Sequence, residues 1–371
     1  MRRLLPQLSP LAASALGASL ALSALTARPV QAASPDVPPP YSISVFASSQ
    51  TGYSDPDSIT FSPENVFVGY GNGGAPDGSG GAKSTIVEYK FDGTVVTTFT
   101  VVGHNDGLRY NPQTHELWAS QNEDGNSNLA IINLKNGKQT IYQLGTGPHG
   151  GGYDDLVFLN GAAYLTASAP TINPNTAPSI LDVKLRGGKA DLTPVLMADA
   201  QALDVTTGKT VTLNLQDPDS MIVNPFGELV QDSQADGEVV VVSHPQAKCQ
   251  SVAVVPLTSS YTTTPGETTV DDTIFATAPG GTLLVADKGG QKVYAITAPY
   301  FAPGAAYSST EIDDQNGNPL EDFVGRTNLT TGFITPLITN MVAPGGMAFI
   351  PSSGDPLNGV LAVDPKSNKC P

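Results

Sequence analysis

The sequence predicts an all-β protein, on three observations. Gly, Pro, Asn, Asp, Ser and Thr punctuate the chain roughly every 8 to 12 residues. Between them stand short alternating or β-branched runs such as "NVFVGY", "STIVEYKF", "TVVTTFTV", "EVVVVSH" and "TLLVAD". No long apolar period of 3.6 residues interrupts them, so the runs read as antiparallel strands rather than helices.

The strands are grouped by a repeat. "DPDS" occurs from residue 55 and again from residue 217, each time leading into an apolar alternation. The wider unit is an acid, a spacer, then apolar–any–apolar. Its copies start at Asp57, Asp106, Asp154, Asp219 and Asp272, and a sixth at Gly345 keeps the pattern without the acid. Several copies continue alike through a turn into a second strand: "SPENVFVGY", "NPQTHELWAS", "NPFGELVQDS", "APGGTLLVAD". Spacings of 49, 48, 65, 53 and 73 residues suit a four-stranded blade with insertions. Six units predict a six-bladed β-propeller, against the competing arrangement of two separate β domains. Each acid then opens an innermost strand, where the chain crosses from rim to axis.

Taken in order, residues 1–32 read as a signal peptide. Arg2 and Arg3 precede an apolar run from Leu11 to Leu25 and the small-residue cleavage signature Val30-Gln31-Ala32. The protein is therefore expected to be exported, to the periplasm or outside the cell, and no later stretch is long enough to span a membrane. Residues 33–40 form a Pro-rich lead-in, and residues 41–371 the propeller. The run "YSISVFAS" at 41–48 is expected to supply an outer strand to the last blade. "GGMAFIP" and "GVLAVDP" are that blade's own strands, which leaves one strand unaccounted for. The segments 69–84 and 168–179 are long polar loops that either roof the channel or lie on the surface.

The formal charge is −16, and loss of Arg2, Arg3 and Arg28 takes it to about −19. That acidity argues against nucleic acid and anionic membrane surfaces. Only Cys249 and Cys370 are present, with no metal-binding Cys spacing. Export would permit a disulfide, but strand counting sends the two cysteines to opposite faces and counts against one. Trp118, the single tryptophan, is expected in the core.

The acids carry the functional reading. Asp57, Asp106, Asp154, Asp219 and Asp272 are expected at one mouth of the channel, beside Asn105, Asp155 and Asp271. Each alone suits a capped turn, but together they must protonate, turn outward or share a cation. Oxygen-only ligands favour Ca2+, with Mg2+ or Mn2+ possible. His104 and His149 fall near the same mouth, where with Asp106 they are candidate catalytic groups. Asp155 and Asp272 are candidate substrate-binding residues for a small-molecule or extracellular ligand. His115 and His244 are expected on the far face. No G-x-S-x-G nucleophile motif is present.

The blade spacing, the acid ring and "NDG" at 105–107 followed by a strand and "NP" resemble the six-bladed SMP-30/gluconolactonase family and its NHL-like relatives. The resemblance implies one divalent cation held by an acid, two asparagines and an aspartate at channel-facing loop starts. By position these are Asp57, Asn105 and Asp219, with Asp154 standing where the family has its other asparagine. It implies a metal-dependent hydrolase of lactones or esters. A non-catalytic binding propeller is the alternative, and a metal-dependent lyase using His104 and His149 is the second.

Overall fold

The computed structural model describes residues 34–312 and 320–352. β1 (Ser42–Ser48) precedes the first complete sheet, which is β2 (Pro56–Phe61), β3 (Val66–Tyr70), β4 (Lys83–Tyr89) and β5 (Val95–Val102). The second sheet follows as β6 (Asn105–Asn111), β7 (Glu116–Gln121), β8 (Ser127–Asn133) and β9 (Gln139–Gly145). The third is β10 (Leu156–Leu159), β11 (Ala162–Thr166), β12 (Pro178–Arg186) and β13 (Lys189–Met197). A hairpin, β14 (Gln201–Asp204) and β15 (Lys209–Thr212), comes before the fourth sheet of β16 (Pro218–Val223), β17 (Leu229–Ser233), β18 (Glu238–Ser243) and β19 (Ser251–Pro256). β14 joins that sheet by parallel pairing with β19, which makes it six-stranded and accounts for the 65-residue spacing of its repeat.

Within each sheet, consecutive strands pair antiparallel, and the turn after the first strand is chemically repeated. Ser62 Oγ accepts the N–H groups of Glu64 and Asn65. Asn111 Oδ1 accepts those of Gln113 and Thr114, and Asn224 Oδ1 those of Phe226 and Glu228. The recurring Ser/Asn-Pro is thus a capped turn, with Pro presetting φ and the preceding side chain satisfying the freed donors.

The last two sheets depart from the expected chain order. β20 (Thr273–Phe275) is followed by β21 (Gly281–Asp287) and β22 (Lys292–Thr297), yet β20 pairs with β23 (Ala306–Thr310). β24 (Phe323–Asn328) and β25 (Phe333–Ile338) complete this fifth sheet. The β21–β22 hairpin leaves it and pairs with β26 (Pro344–Pro351), giving the sixth sheet the order β26-β21-β22-β1. "TLLVAD" is therefore not the second strand of its own unit, as the repeat suggested, but that of the next. The strand missing from blade six is found there. β1 closes the blade from outside as expected, pairing with β22. "GVLAVDP" lies outside the described residues, as do residues 1–32.

The core is divided among the sheet interfaces, which is what closes the ring. Ile86, Leu117 and Ile132 pack between the first and second sheets, and Leu129, Leu165 and Leu181 between the second and third. Ile180 meets Leu229 and Val240, and Val230 and Val255 meet Phe323 and Ile334. Val285 and Ile296 meet Tyr307 and Val324; Leu284 and Val293 meet Ile59 and Val68, returning to the first sheet. This is a six-bladed β-propeller. Trp118 is buried, its ring edge-to-face with Phe158.

Two smaller expectations change. The lead-in is anchored: Asp36 exchanges backbone hydrogen bonds with Thr339, and its carboxylate accepts from Asn340 at 2.5 Å. Cys249 is disulfide-bonded, against the strand count that set it apart; Cys370, the sequence's other cysteine, lies outside the described residues.

Candidate functional site

The opening acids sit on a β-bulge repeated around the ring. In the first sheet Pro56 faces Tyr70 and Ile59 faces Val68, so Asp57 and Ser58 share one opposing residue. The same extra residue occurs at Asp106-Gly107, at Asp219-Ser220 and at Gly345-Gly346. In the third sheet Asp154 donates its N–H to Thr166 O while Thr166 donates back to Asp155 O. In the fifth, Asp271 and Asp272 stand in that relation to Ser309. The Thr166 and Ser309 hydroxyls accept the second aspartate's N–H, at 2.9 Å and 3.1 Å. A bulge twists the strand and re-aims its side chains, which turns the acids toward the axis.

The bulge also corrects one register. The residue equivalent to Asp57 in the fifth blade is Asp271, and Asp272 is equivalent to Asp155. Their bonding agrees: Asp155 Oδ2 accepts Met221 N at 3.1 Å, and Asp272 Oδ2 accepts Met347 N at 2.6 Å. Two adjacent acids concealed this in the sequence, because Thr273 occupies the place that is apolar elsewhere.

The acids line one cavity of about 190 Å³ at the channel mouth. Nine carboxylates reach it: Asp57, Asp106, Glu123, Asp154, Asp155, Asp219, Asp271, Asp272 and Glu311, against the cations Arg109 and Lys288. Gly345 leaves the sixth position open, since a Cβ there would lie 3.2 Å from both Asp57 Oδ1 and Asp271 Oδ1. Lys288 Nζ stands 3.6 Å from Asp57 Oδ2, and that carboxylate, above all, raises the lysine's pKa.

Burial raises most of these carboxyls. Asp154 is pushed up to about 6 and Asp272 to about 7, in each case by loss of solvent first. Asp106, Glu123, Asp219 and Asp271 go well above the usual range for the same reason, with neighbouring carboxylates adding repulsion. Ligand atoms of Glu123, Asp154 and Asp219 lie within 4.8 Å of one another, and so do those of Asp57, His104 and Asp106. Asp106 Oδ2 is buried and finds no hydrogen-bond partner among the described residues. Closely spaced, undersolvated oxygen donors fit a divalent cation, whose charge would replace the protons.

Arg109 floors the cavity. Its guanidinium reaches from β6 across two neighbouring blades, donating to Leu156 O at 2.9 Å, Met221 O at 2.8 Å and Asp155 Oδ2 at 2.5 Å. Beyond it the channel turns apolar, with Ile222, Ile274, Met347 and Phe349 lining a second cavity of about 80 Å³.

The sequence-derived residues divide accordingly. Asp57, Asp106, Asp154, Asp155, Asp219 and Asp272 all reach the cavity. Asn105 does not: its amide donates to Gly107 O and Ser120 O and its carbonyl faces Ser58 Oγ, tying inner strands together. His149 Nε2 lies 2.7 Å from Gly152 O within its own loop, and burial lowers its pKa. His104 stands behind the wall, its Nε2 3.2 Å from Asp106 Oδ1, with burial, opposed by Asp57, lowering its pKa. Neither imidazole is among the cavity's lining residues. His115 Nδ1 meets the Tyr110 hydroxyl at 2.8 Å. Glu123, Gln234, Lys288 and Glu311 escaped the sequence reading. Gln234, Lys288 and Glu311 directly follow the second strands β17, β21 and β23, and Glu123 comes two residues after β7, so a signal existed: the turn that leaves each second strand.

No family model and no curated protein matches the sequence. Among solved structures, the fold is similar to a presumed gluconolactonase at 11% identity over 85% of this chain and 91% of that one, with a TM-score of 0.42. It is similar to a streptogramin B lyase at 12% identity, covering 83% and 98% of the two chains, TM-score 0.43. A presumed 6-phosphogluconolactonase from Bacteroides uniformis shares 13% identity over 79% and 73%, TM-score 0.40. Likeness at this level concerns the fold and assigns no activity.

Proposed function

We propose that this is an exported propeller that binds a divalent cation at the acidic mouth of its channel and there hydrolyses lactones or esters. The observation that carries the reading is the cluster of Glu123, Asp154 and Asp219, three carboxylates whose donor atoms come within 4.8 Å in a desolvated cavity. These three replace the set of Asp57, Asn105, Asp154 and Asp219 suggested by resemblance, since Asn105 is spent on backbone hydrogen bonds. Oxygen-only donors suit Ca2+, then Mg2+ or Mn2+. The ion, when bound, supplies a Lewis acid for a carbonyl oxygen and a more acidic bound water.

The chain's own residues do the rest. Asp106 lines the cavity and its Oδ2 is unpartnered, so it can take a proton, with His104 Nε2 3.2 Å from Oδ1. Arg109 closes the floor, so a small ligand enters and leaves by the acidic mouth. Export rests on the order of arginines, apolar run and small residues before Ala32. A non-catalytic binding propeller is favoured by one observation: neither His104 nor His149 lines the cavity.

Thermal melting of the metal-stripped mature protein tests this. Ca2+ at about 100 times its dissociation constant should add about 2.7 kcal/mol, and Glu123→Gln or Asp219→Asn should abolish the response. A panel of lactones and esters should show metal-dependent turnover, reduced about 100-fold or more in Asp106→Asn. Melting indifferent to Ca2+, Mg2+ and Mn2+ rejects the site, and a calcium response without turnover selects the binding reading.

A further inference from the structure

A second group of donors stands in the same cavity wall with different chemistry. Asp57 and Asp106 line the cavity, and His104, only 3% exposed, lies behind them. Their ligand atoms fall within 4.8 Å of one another. His104 Nε2 is 3.2 Å from Asp106 Oδ1 yet not aligned to bond it, and it has no hydrogen-bond partner among the described residues. A buried imidazole nitrogen normally has one. The Gly74 backbone and close packing hold the ring. A Cβ at Gly71 would come 2.6 Å from its Cε1, so the turn after β3 closes on it only because that position lacks a side chain.

We infer that Asp57, His104 and Asp106 form a second cation site, selective for a first-row transition-metal dication such as zinc rather than for calcium. An imidazole nitrogen with two carboxylate oxygens suits a borderline ion, whereas calcium takes oxygen ligands. Asp106 presents Oδ1 to His104, and its Oδ2 has no hydrogen-bond partner among the described residues. Lys288, 3.6 Å from Asp57 Oδ2 and with its side chain 45% exposed, is the competing cation and has room to swing into solvent as the metal binds. The mouth thus carries two chemically distinct sites, and the second stands whether or not Glu123, Asp154 and Asp219 are filled.

Metal-stripped mature protein titrated with Co2+ in excess Ca2+ tests it. One equivalent of Co2+ should be retained, with the visible absorption of nitrogen- and oxygen-ligated cobalt. His104→Ala should weaken it by at least about tenfold. Asp57→Asn, near-isosteric at a side chain 18% exposed, should do the same. Lys288→Gln should tighten it by roughly tenfold. Glu123→Gln should leave Co2+ binding intact while removing the Ca2+ response, which separates this site from the first. Complete displacement of Co2+ by Ca2+, or wild-type Co2+ affinity in both folded His104→Ala and Asp57→Asn, overturns the inference.

Discussion

Glu238 shows how single residues in this fold store electrostatic cost. It begins β18, half-buried, and burial pushes its carboxyl up to about 7, with Asp236 and Asp204 adding repulsion. The folded state therefore holds its proton more tightly than the unfolded chain does. The stability this supplies is complete below about pH 4 and is lost as pH rises to about 7. Glu238→Gln should unfold about 1–2 kcal/mol later than the parent at pH 8, with the difference vanishing near pH 4. Urea titrations at the two pH values measure it. A constant difference at both would show that packing, not titration, is responsible.

At the scale of elements, the informative piece is the closure of blade six. Its four strands come from three places in the chain: β26, the displaced β21–β22 hairpin, and β1. β1 covers the edge of β22, and its Ile43, Phe46 and Ala47 pack into the clusters on either side of the blade. An uncovered edge strand is a template for association. A chain shortened to begin at Gln50 should melt at lower temperature and associate on warming, while one beginning at Ala33 does neither. Calorimetry and light scattering read the two effects, and unchanged melting would mean that the ring closes without β1.

The whole molecule is organised about a channel with unlike ends, and Arg109 makes the division. Its guanidinium, on a side chain 15% exposed, ties β6 to β10 and β16 and faces the buried Asp155 at 2.5 Å. Removing one partner of a buried pair leaves the other uncompensated. Arg109→Leu should cost about 3–5 kcal/mol in denaturant unfolding, and adding Asp155→Asn should recover much of it. If the single variant loses less than about 1 kcal/mol, water already reaches Asp155 and the floor is not sealed.

Local chemistry made much of this protein legible from its letters. Period-two apolar runs and Ser/Asn-Pro turns depend on neighbouring residues, so the strands, the six units and the convergence of Asp57, Asp106, Asp154 and Asp219 could be read directly. β1 could be placed because an unpaired edge needs a partner. What required the tertiary structure was every choice among equivalent partners. "TLLVAD" pairs as well with one inner strand as another, and only the ring's geometry sends it to β26. The apolar pattern favours Asp272 over Asp271, and only the bulge opposite Ser309 reverses that choice. Glu123, Lys288 and Arg109 join the mouth because strands distant in sequence end there, whereas Asn105, adjacent to Asp106, is turned away into the strands it holds together. Whether a polar side chain meets a ligand or a backbone carbonyl depends on which side of a half-twisted strand it leaves, and no neighbouring letter records that.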